Sequence, residues 1–204
     1  ALRLAPDPET ARREAWLAAR KQHVTGTDLA SIMGMPGAYQ SLAEVALEKK
    51  DLLKKDERVP EWMEAGIRLQ DANLMWYADK QQVPLEFCDP YSLVECPRLP
   101  LFAVSLDGRW SRDDRRPVDA KNVGHLNPEK WGQEFSDEIP VHFIVQLHGQ
   151  MLCTETKIAD LSVIAGGNRH RIYRVEYDEE LGAGCLEAAT EFHRRYVAGD
   201  EIRP

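Results

Sequence analysis

The chain reads as an α/β domain with a central mixed sheet flanked by helices, and three observations lead there. The first 83 or so residues carry helical periodicity and capping signals. From residue 84 the texture switches to short, turn-bounded runs rich in β-formers. The remainder alternates helix, strand pair and helix. With 204 residues, 43% hydrophobic and 29% charged, the chain has the material for one sizeable core. No internal repeat, low-complexity tract or linker interrupts it. A single unit over 1–204 is expected, with a mainly helical part over 1–83, a sheet with a glutamine-bearing helix over 84–177, and a C-terminal helix over 178–204.

Pro8–Gln22 is predicted helical, with acid early and base late as the helix dipole favours. In V-T-G-T-D-L-A-S-I-M-G (Val24–Gly34), Thr27 is the expected N-cap of a short helix ending at Gly34. Ser41–Leu53 is another helix, and Asp51–Arg58 a charged loop. Pro60–Gln81 is a long amphipathic helix opening on proline, with Trp62, Met63, Ile67, Leu69, Leu74 and Trp76 on its apolar side. Strand-like runs follow at Leu85–Cys88, Tyr91–Glu95, Leu101–Ser105, Gly108–Ser111 and Pro117–Asn122. A short helix is expected over Asn127–Glu134 and a longer one over Pro140–Cys153, with His142, Gln146 and Gln150 on one stripe. Ile158–Ala165 and His170–Tyr177 form a hairpin around G-G-N, and Asp178–Ala198 is the last helix. Trp16, Trp62, Trp76 and Trp131 are expected to serve the core.

Several classes are excluded. No apolar run approaches the ~18 residues of a membrane span, so no membrane partner is expected. The first residues lack the apolar centre of a secretory signal. Cys88, Cys96, Cys153 and Cys185 show no C-x-x-C spacing, which argues against zinc and for reduced thiols in a cytoplasmic protein. The net charge of −8 argues against a nucleic-acid partner if spread evenly. An acidic exterior with one basic groove remains compatible with DNA, and arginines do cluster, as at Arg109, Arg112, Arg115 and Arg116.

The most informative run is V-S-L-D-G (Val104–Gly108), followed by V-D-A-K (Val118–Lys121). In a strand, Asp119 and Lys121 point the same way. The charged stretch Arg112–Arg116 reads as a hairpin tip, with Asp113 and Asp114 solvated there, and such a hairpin brings Asp107 beside Asp119. Two carboxylates suit a hard divalent cation. The ion lowers the pKa of a bound water and neutralises phosphate charge, while the lysine orients or deprotonates that water or stabilises the pentavalent phosphate. The competing reading is a solvated hairpin with a cross-strand ion pair worth less than about 1 kcal/mol.

Taken in order, the motifs resemble the lambda-exonuclease-like (YqaJ-type) viral recombinases of the PD-(D/E)xK nuclease superfamily. R-x(4)-T-G-T-D (Arg20–Asp28), G-I-R-L-Q (Gly66–Gln70), S-L-D-G, D-A-K and Q-x-x-x-Q-M (Gln146–Met151) fall in the family's order across about Arg12 to Phe192. Three positions depart from the pattern. Gln70 stands where the family has glutamate, Asp119 is one methylene shorter than the usual glutamate, and Leu106 replaces a proline.

The resemblance implies Asp107, Asp119 and the Ala120 carbonyl as ligands of Mg²⁺ (or Mn²⁺), with Lys121 and Gln146 as catalytic partners and Gln70 as an outer contact. Gln146 would touch the water or the scissile phosphate. Arg20, Thr27 and Ser105, with the free amides of a helix N-terminus, would form a 5′-phosphate pocket. His142, His148 and Gln150 are weaker candidates, and an exposed side chain near Met33–Tyr39 would wedge DNA strands apart. The implied activity is a processive 5′→3′ exonuclease on double-stranded DNA ends that leaves 3′ overhangs for phage recombination in a bacterial host. A ring-shaped homotrimer and a single-strand annealing protein are the implied assembly and partner. Two alternatives stay open: a restriction- or resolvase-type endonuclease, and a non-catalytic DNA-binding module of the same fold, which the neutral Gln70 would favour.

Overall fold

The computed structural model describes residues 7–53, 60–112, 115–199 and 201. Helix α1 (Pro8–Gln22) has the expected bounds. The Asp7 carboxylate accepts from the amides of Glu9 and Thr10 at 3.0 and 3.1 Å, and Arg20 and Lys21 close the last turn. After the two-residue strand β1 (Val24–Thr25) comes α2 (Gly26–Ile32). Its N-cap is Thr25 rather than the expected Thr27, because the Asp28 carboxylate reaches back to the Thr25 amide at 2.8 Å and fixes the helix start two residues earlier. Helix α3 (Leu42–Lys49) is shorter than expected and opens on a capping box between Ser41 and Glu44. Most of the charged loop expected over 51–58, and all of Asp113 and Asp114, lie outside the described residues.

Helix α4 (Glu61–Gln81) runs as expected, but its buried residues are Asn73, Leu74 and Tyr77. Trp62, Met63 and Ile67 are exposed, against expectation. A helix of 21 residues is about 30 Å long, more than the sheet beneath it can cover. Trp76 is also largely exposed, with its ring stacked on His170.

The strands are β2 (Leu85–Phe87), β3 (Val94–Cys96), β4 (Leu99–Val104), β5 (Gly108–Trp110), β6 (Pro117–Val123), β7 (Ile158–Ala165) and β8 (Arg169–Glu176). They divide between a three-stranded sheet, β1-β4-β3, and a mixed five-stranded sheet, β2-β5-β6-β7-β8. Within the larger sheet β6 is antiparallel to β5 and parallel to β7. The expected mixed α/β architecture therefore holds.

Helix α5 (Val141–Thr154) and α6 (Glu179–Phe192) complete the layers, and a wider π-helical turn carries the chain from α6 on to Val197. The short helix expected over 127–134 is a single turn. The amides of Lys130 and Trp131 both return to the Asn127 carbonyl, and the Trp131 ring is then drawn into the core beside Phe143 and Tyr173.

One face of β6 and β7 packs on α5 through Leu147, Met151, Leu161 and Val163. The other packs on α4 through Leu74, Tyr77, Val118 and Ile172. Helix α5 also feeds the core of the smaller sheet through Val145, Leu152 and Cys153. This double role needs Gly149, where an added Cβ would lie 3.0 Å from both Leu29 and Phe102. Among the described residues no helix is long and apolar enough to cross a membrane.

Candidate active site

Strand β6 pairs with β5 at Gly108↔Val118, so the next residues along, Asp107 and Asp119, lie opposite one another as the hairpin reading requires. Asp107 Oδ2 accepts the Ala120 amide at 2.8 Å. A strand residue presents its N–H and C=O to the same side, so the Ala120 carbonyl projects toward Asp107 as well. Asp119 and Lys121 share the α5 face, and the Lys121 Nζ lies 2.6 Å from Asp119 Oδ2. From α5, one turn apart, Gln146 and Gln150 both donate to Asp119 Oδ1, at 3.0 and 2.8 Å. Asp119 is only 2% exposed. Because its carboxylate can only accept, both glutamines must present their amide nitrogens to it.

Burial, with the Asp119 charge second, pushes the Asp107 carboxyl up to about 7 against the pull of Lys121 and the Ala120 amide. Burial works against the Lys121 charge, but Asp119 and Asp107 outweigh it and hold the ammonium above its usual range. With both carboxylates beside it, Lys121 is held in its charged form, which suits stabilising phosphate charge.

The donor set fits a divalent cation. Asp119 Oδ2 is buried with no hydrogen-bond partner and only the Lys121 ammonium beside it. Asp107 spends one hydrogen bond on Ala120, and all the available ligand atoms are oxygens, which suits Mg²⁺ or Mn²⁺. No cluster of three or more His, Cys, Asp or Glu suited to a metal exists among the described residues. A Mg²⁺ ion commonly takes one or two carboxylates and completes its shell with water and substrate.

Arg20, Thr27 and Ser105, predicted as a pocket, do line one cavity, together with Gln146 and Gln150. Arg20 donates to the Thr27 hydroxyl at 3.2 Å and lies over the Trp16 ring at 4.8 Å. Ser105 accepts from the Trp16 indole and donates to the Ser92 carbonyl. Among the described residues Arg20 has no carboxylate partner. The cavity holds about 30 Å³, the share of one water in the liquid. Asp28 of the same motif is structural, paired with Lys49 at 2.7 Å.

A separate cleft of about 810 Å³ opens between Tyr39, Trp62, Asn122, Trp131 and His142, with none of Asp107, Asp119 and Lys121 in its lining. Tyr39 is the exposed side chain of the 33–39 stretch and lies within reach of the Lys121 and Asp119 charges.

Gln70 makes no hydrogen bond or ion pair with these groups among the described residues; it is half-buried one turn before Asn73 on α4. His148 is structural, bound to the Ile144 carbonyl and accepting from the Asp178 amide. Arg116, expected at a charged tip, turns inward to Asp160 at 3.3 Å and lies 4.2 Å from the Trp110 ring centre. Sequence reasoning missed that Gln150 shares the Asp119 oxygen with Gln146, although the Q-x-x-x-Q spacing carries that signal. It also missed Asn73, which donates to the Lys121 carbonyl from the far face of the sheet and has no local signature.

Solved exonucleases share this arrangement of elements. The alkaline exonuclease LHK-Exo from Laribacter hongkongensis superposes with a TM-score of 0.70 at 20% identity, over 91% of this chain and 93% of that one. Its structure in complex with dAMP gives 0.69. A phage related exonuclease from Haemophilus somnus 129PT gives 0.62 at 13% identity, over 86% and 95% of the two chains. The fold is thus that of an exonuclease-type α/β domain. In sequence, the model of the YqaJ-like viral recombinase domain matches residues 15–157, and the chain belongs to that family. Uncharacterized protein YqaJ of Bacillus subtilis (strain 168) is 24% identical over 200 residues, 97% of this chain; the chain spans 60% of that protein's length.

Proposed function

We propose that this chain is a divalent-metal-dependent exonuclease acting 5′→3′ and processively on double-stranded DNA ends, leaving 3′ overhangs for recombination. The observation that carries the reading is the meeting of Asp107, Asp119, the Ala120 carbonyl and the Lys121 ammonium at one edge of β6.

Asp107, Asp119 and the Ala120 carbonyl would hold Mg²⁺ or Mn²⁺. A bound ion supplies a lowered water pKa and charge neutralisation at the phosphate. Gln146 and Gln150 hold Asp119 in place through Oδ1, and the ion would take Oδ2, which the Lys121 ammonium now faces at 2.6 Å. Lys121 stabilises the negative charge that builds on the scissile phosphate. The cleft bounded by Tyr39 and Trp62 has room for the strand being cut. The terminal 5′-phosphate would displace the Arg20–Thr27 and Ser105–Ser92 hydrogen bonds to enter the small cavity, gaining a guanidinium and two hydroxyls.

The LHK-Exo structure in complex with dAMP supports a nucleotide ligand for this fold. The ring homotrimer, the single-strand annealing partner, the phage setting in a bacterial cytoplasm, and one nuclease unit over 1–204 belong to the same reading through the family.

The test is a linear duplex with one 5′-phosphate and one 5′-hydroxyl end, incubated with Mg²⁺ or EDTA, beside Lys121→Ala and a closed circular substrate. Metal-dependent loss of the 5′-phosphorylated strand, absent in the variant, is expected. Cleavage of the closed circle would identify an endonuclease instead, and intact DNA throughout would leave a binding module.

A further inference from the structure

Beyond Val118, β6 has lost β5 as a ladder partner, since that pairing ends at Gly108↔Val118. Residues 119–123 are laddered only to β7. On the β5 side this stretch has the Asp107–Ala120 hydrogen bond in place of ladder pairing, and it carries Asp119 and Lys121, with the like charge of Asp107 set against Asp119. A further hold comes from the opposite face of the sheet.

The buried amide of Asn73, 2% exposed on α4, occupies that position. Its Nδ2 donates to the Lys121 carbonyl and to the Ser162 carbonyl of β7, both at 3.0 Å. With both amide hydrogens committed, Oδ1 must accept, so the Ser162 hydroxyl donates to it at 2.6 Å. The Ser162 oxygen must then accept from His170 Nε2–H at 2.8 Å. A one-way chain of donors therefore runs from His170 on β8, through Ser162 on β7 and Asn73 on α4, to the Lys121 carbonyl on β6. The His170 ring is held flat against Trp76, with centroids 4.9 Å apart and planes 17° apart. Burial, with Lys80 next, keeps its pKa down at about 4, so the ring is neutral with its proton on Nε2, as the commitments of Asn73 and Ser162 require. The neighbours of Asn73 on this face, Leu74, Tyr77, Val118 and Ile172, form an apolar cluster. An apolar residue at position 73 would leave the Ser162 hydroxyl and both carbonyls without this partner, so the amide answers the polar groups beside it.

We infer that Asn73 is a positioning residue for the catalytic strand: by tying the Lys121 carbonyl to β7 it sets how Asp119 and Lys121 project toward metal and phosphate. The inference rests on the proposed nuclease reading for its effect on activity, but not for its effect on the strand.

Asn73→Leu removes the tie and leaves the Ser162 hydroxyl without its acceptor, and Ser162→Ala removes the hold on Oδ1 together with the acceptor of His170 Nε2–H. In folded Asn73→Leu, kcat on saturating duplex should fall about 30-fold with KM nearly unchanged, and half-activation should need about 10-fold more Mn²⁺, the scale for residues that orient a metal's ligands. Ser162→Ala should move both in the same direction by only about 3- to 5-fold, the worth of one hydrogen bond.

Hydrogen exchange reads the strand independently of activity. Amides 119–122 should exchange about 10-fold faster in Asn73→Leu, while those of the β7–β8 hairpin change less. Native kcat and Mn²⁺ requirement in a folded Asn73→Leu protein would overturn the inference. So would a loss of activity that only tracks the unfolded fraction. If the native protein cuts no DNA, the nuclease reading fails, and unchanged exchange at 119–122 then overturns the positioning role by itself.

Discussion

Stripping the divalent ion should make folding stability fall as pH rises toward neutrality, with Asp107 responsible. In the folded, metal-free protein its carboxyl is pushed up to about 7, against an ordinary value of 3.8. Between those values the folded state holds a proton that the unfolded chain has released, so stability declines with rising pH. The contribution is fully present below about pH 4 and is lost as pH passes through 7. Its ceiling is about 4 kcal/mol at ~1.4 kcal/mol per pH unit. Buried histidines act in the opposite sense: His142, His148 and His170 all have lowered pKa values through burial. The informative comparison is therefore native protein against Asp107→Asn at each pH. In EDTA, urea unfolding should show the variant gaining on the native protein by about 3 kcal/mol between pH 4.5 and 7.5. Mg²⁺ at a hundred times its Kd should restore about 2.7 kcal/mol to the native protein alone. A difference between the two proteins that does not grow with pH, or Mg²⁺ stabilising the variant equally, would refute the reasoning.

Three further outcomes are expected. Tyr77→Phe removes the hydroxyl that donates to buried Asp160 at 2.6 Å and accepts from Trp110; a loss of about 2 kcal/mol in chemical unfolding is expected for a hydrogen bond to a charged group. Gly149→Ala places a methyl against Leu29 and Phe102 where α5 crosses α2, and should cost about 1–3 kcal/mol, read as a lowered Tm. Arg20→Ala should reduce the preference for 5′-phosphorylated over 5′-hydroxyl ends by about 10-fold or more while leaving the metal requirement intact, measured by competition between the two duplexes.

How much of this was legible in the sequence depended on how local each signal was. Helix α1 was readable because Asp7, Pro8 and the basic last turn all act within a few residues of one another. The Asp107–Asp119 juxtaposition was readable because a hairpin converts spacing into contact. The start of α2 was misread because Thr25 and Thr27 are equally good caps, and only Asp28 decides between them. The exposed side chains of α4 were misread because amphipathic periodicity does not say how much of a helix the sheet can cover. Asn73 left no trace at all: its partners, Lys121 and Ser162, lie 48 and 89 positions away. The grouping of Arg20, Thr27 and Ser105 came from family resemblance, and no pattern in the residues alone links them.

The passage from β4 to β5 ties the candidate site to the joining of two cores. Ser105, Leu106 and Asp107 are the link between the three-stranded and five-stranded sheets. The glutamines that grip Asp119 arrive later in synthesis, on a helix that both cores must accept. Until that helix docks, the Asp119 carboxylate lacks the two amides that fix its orientation, even where the hairpin has formed.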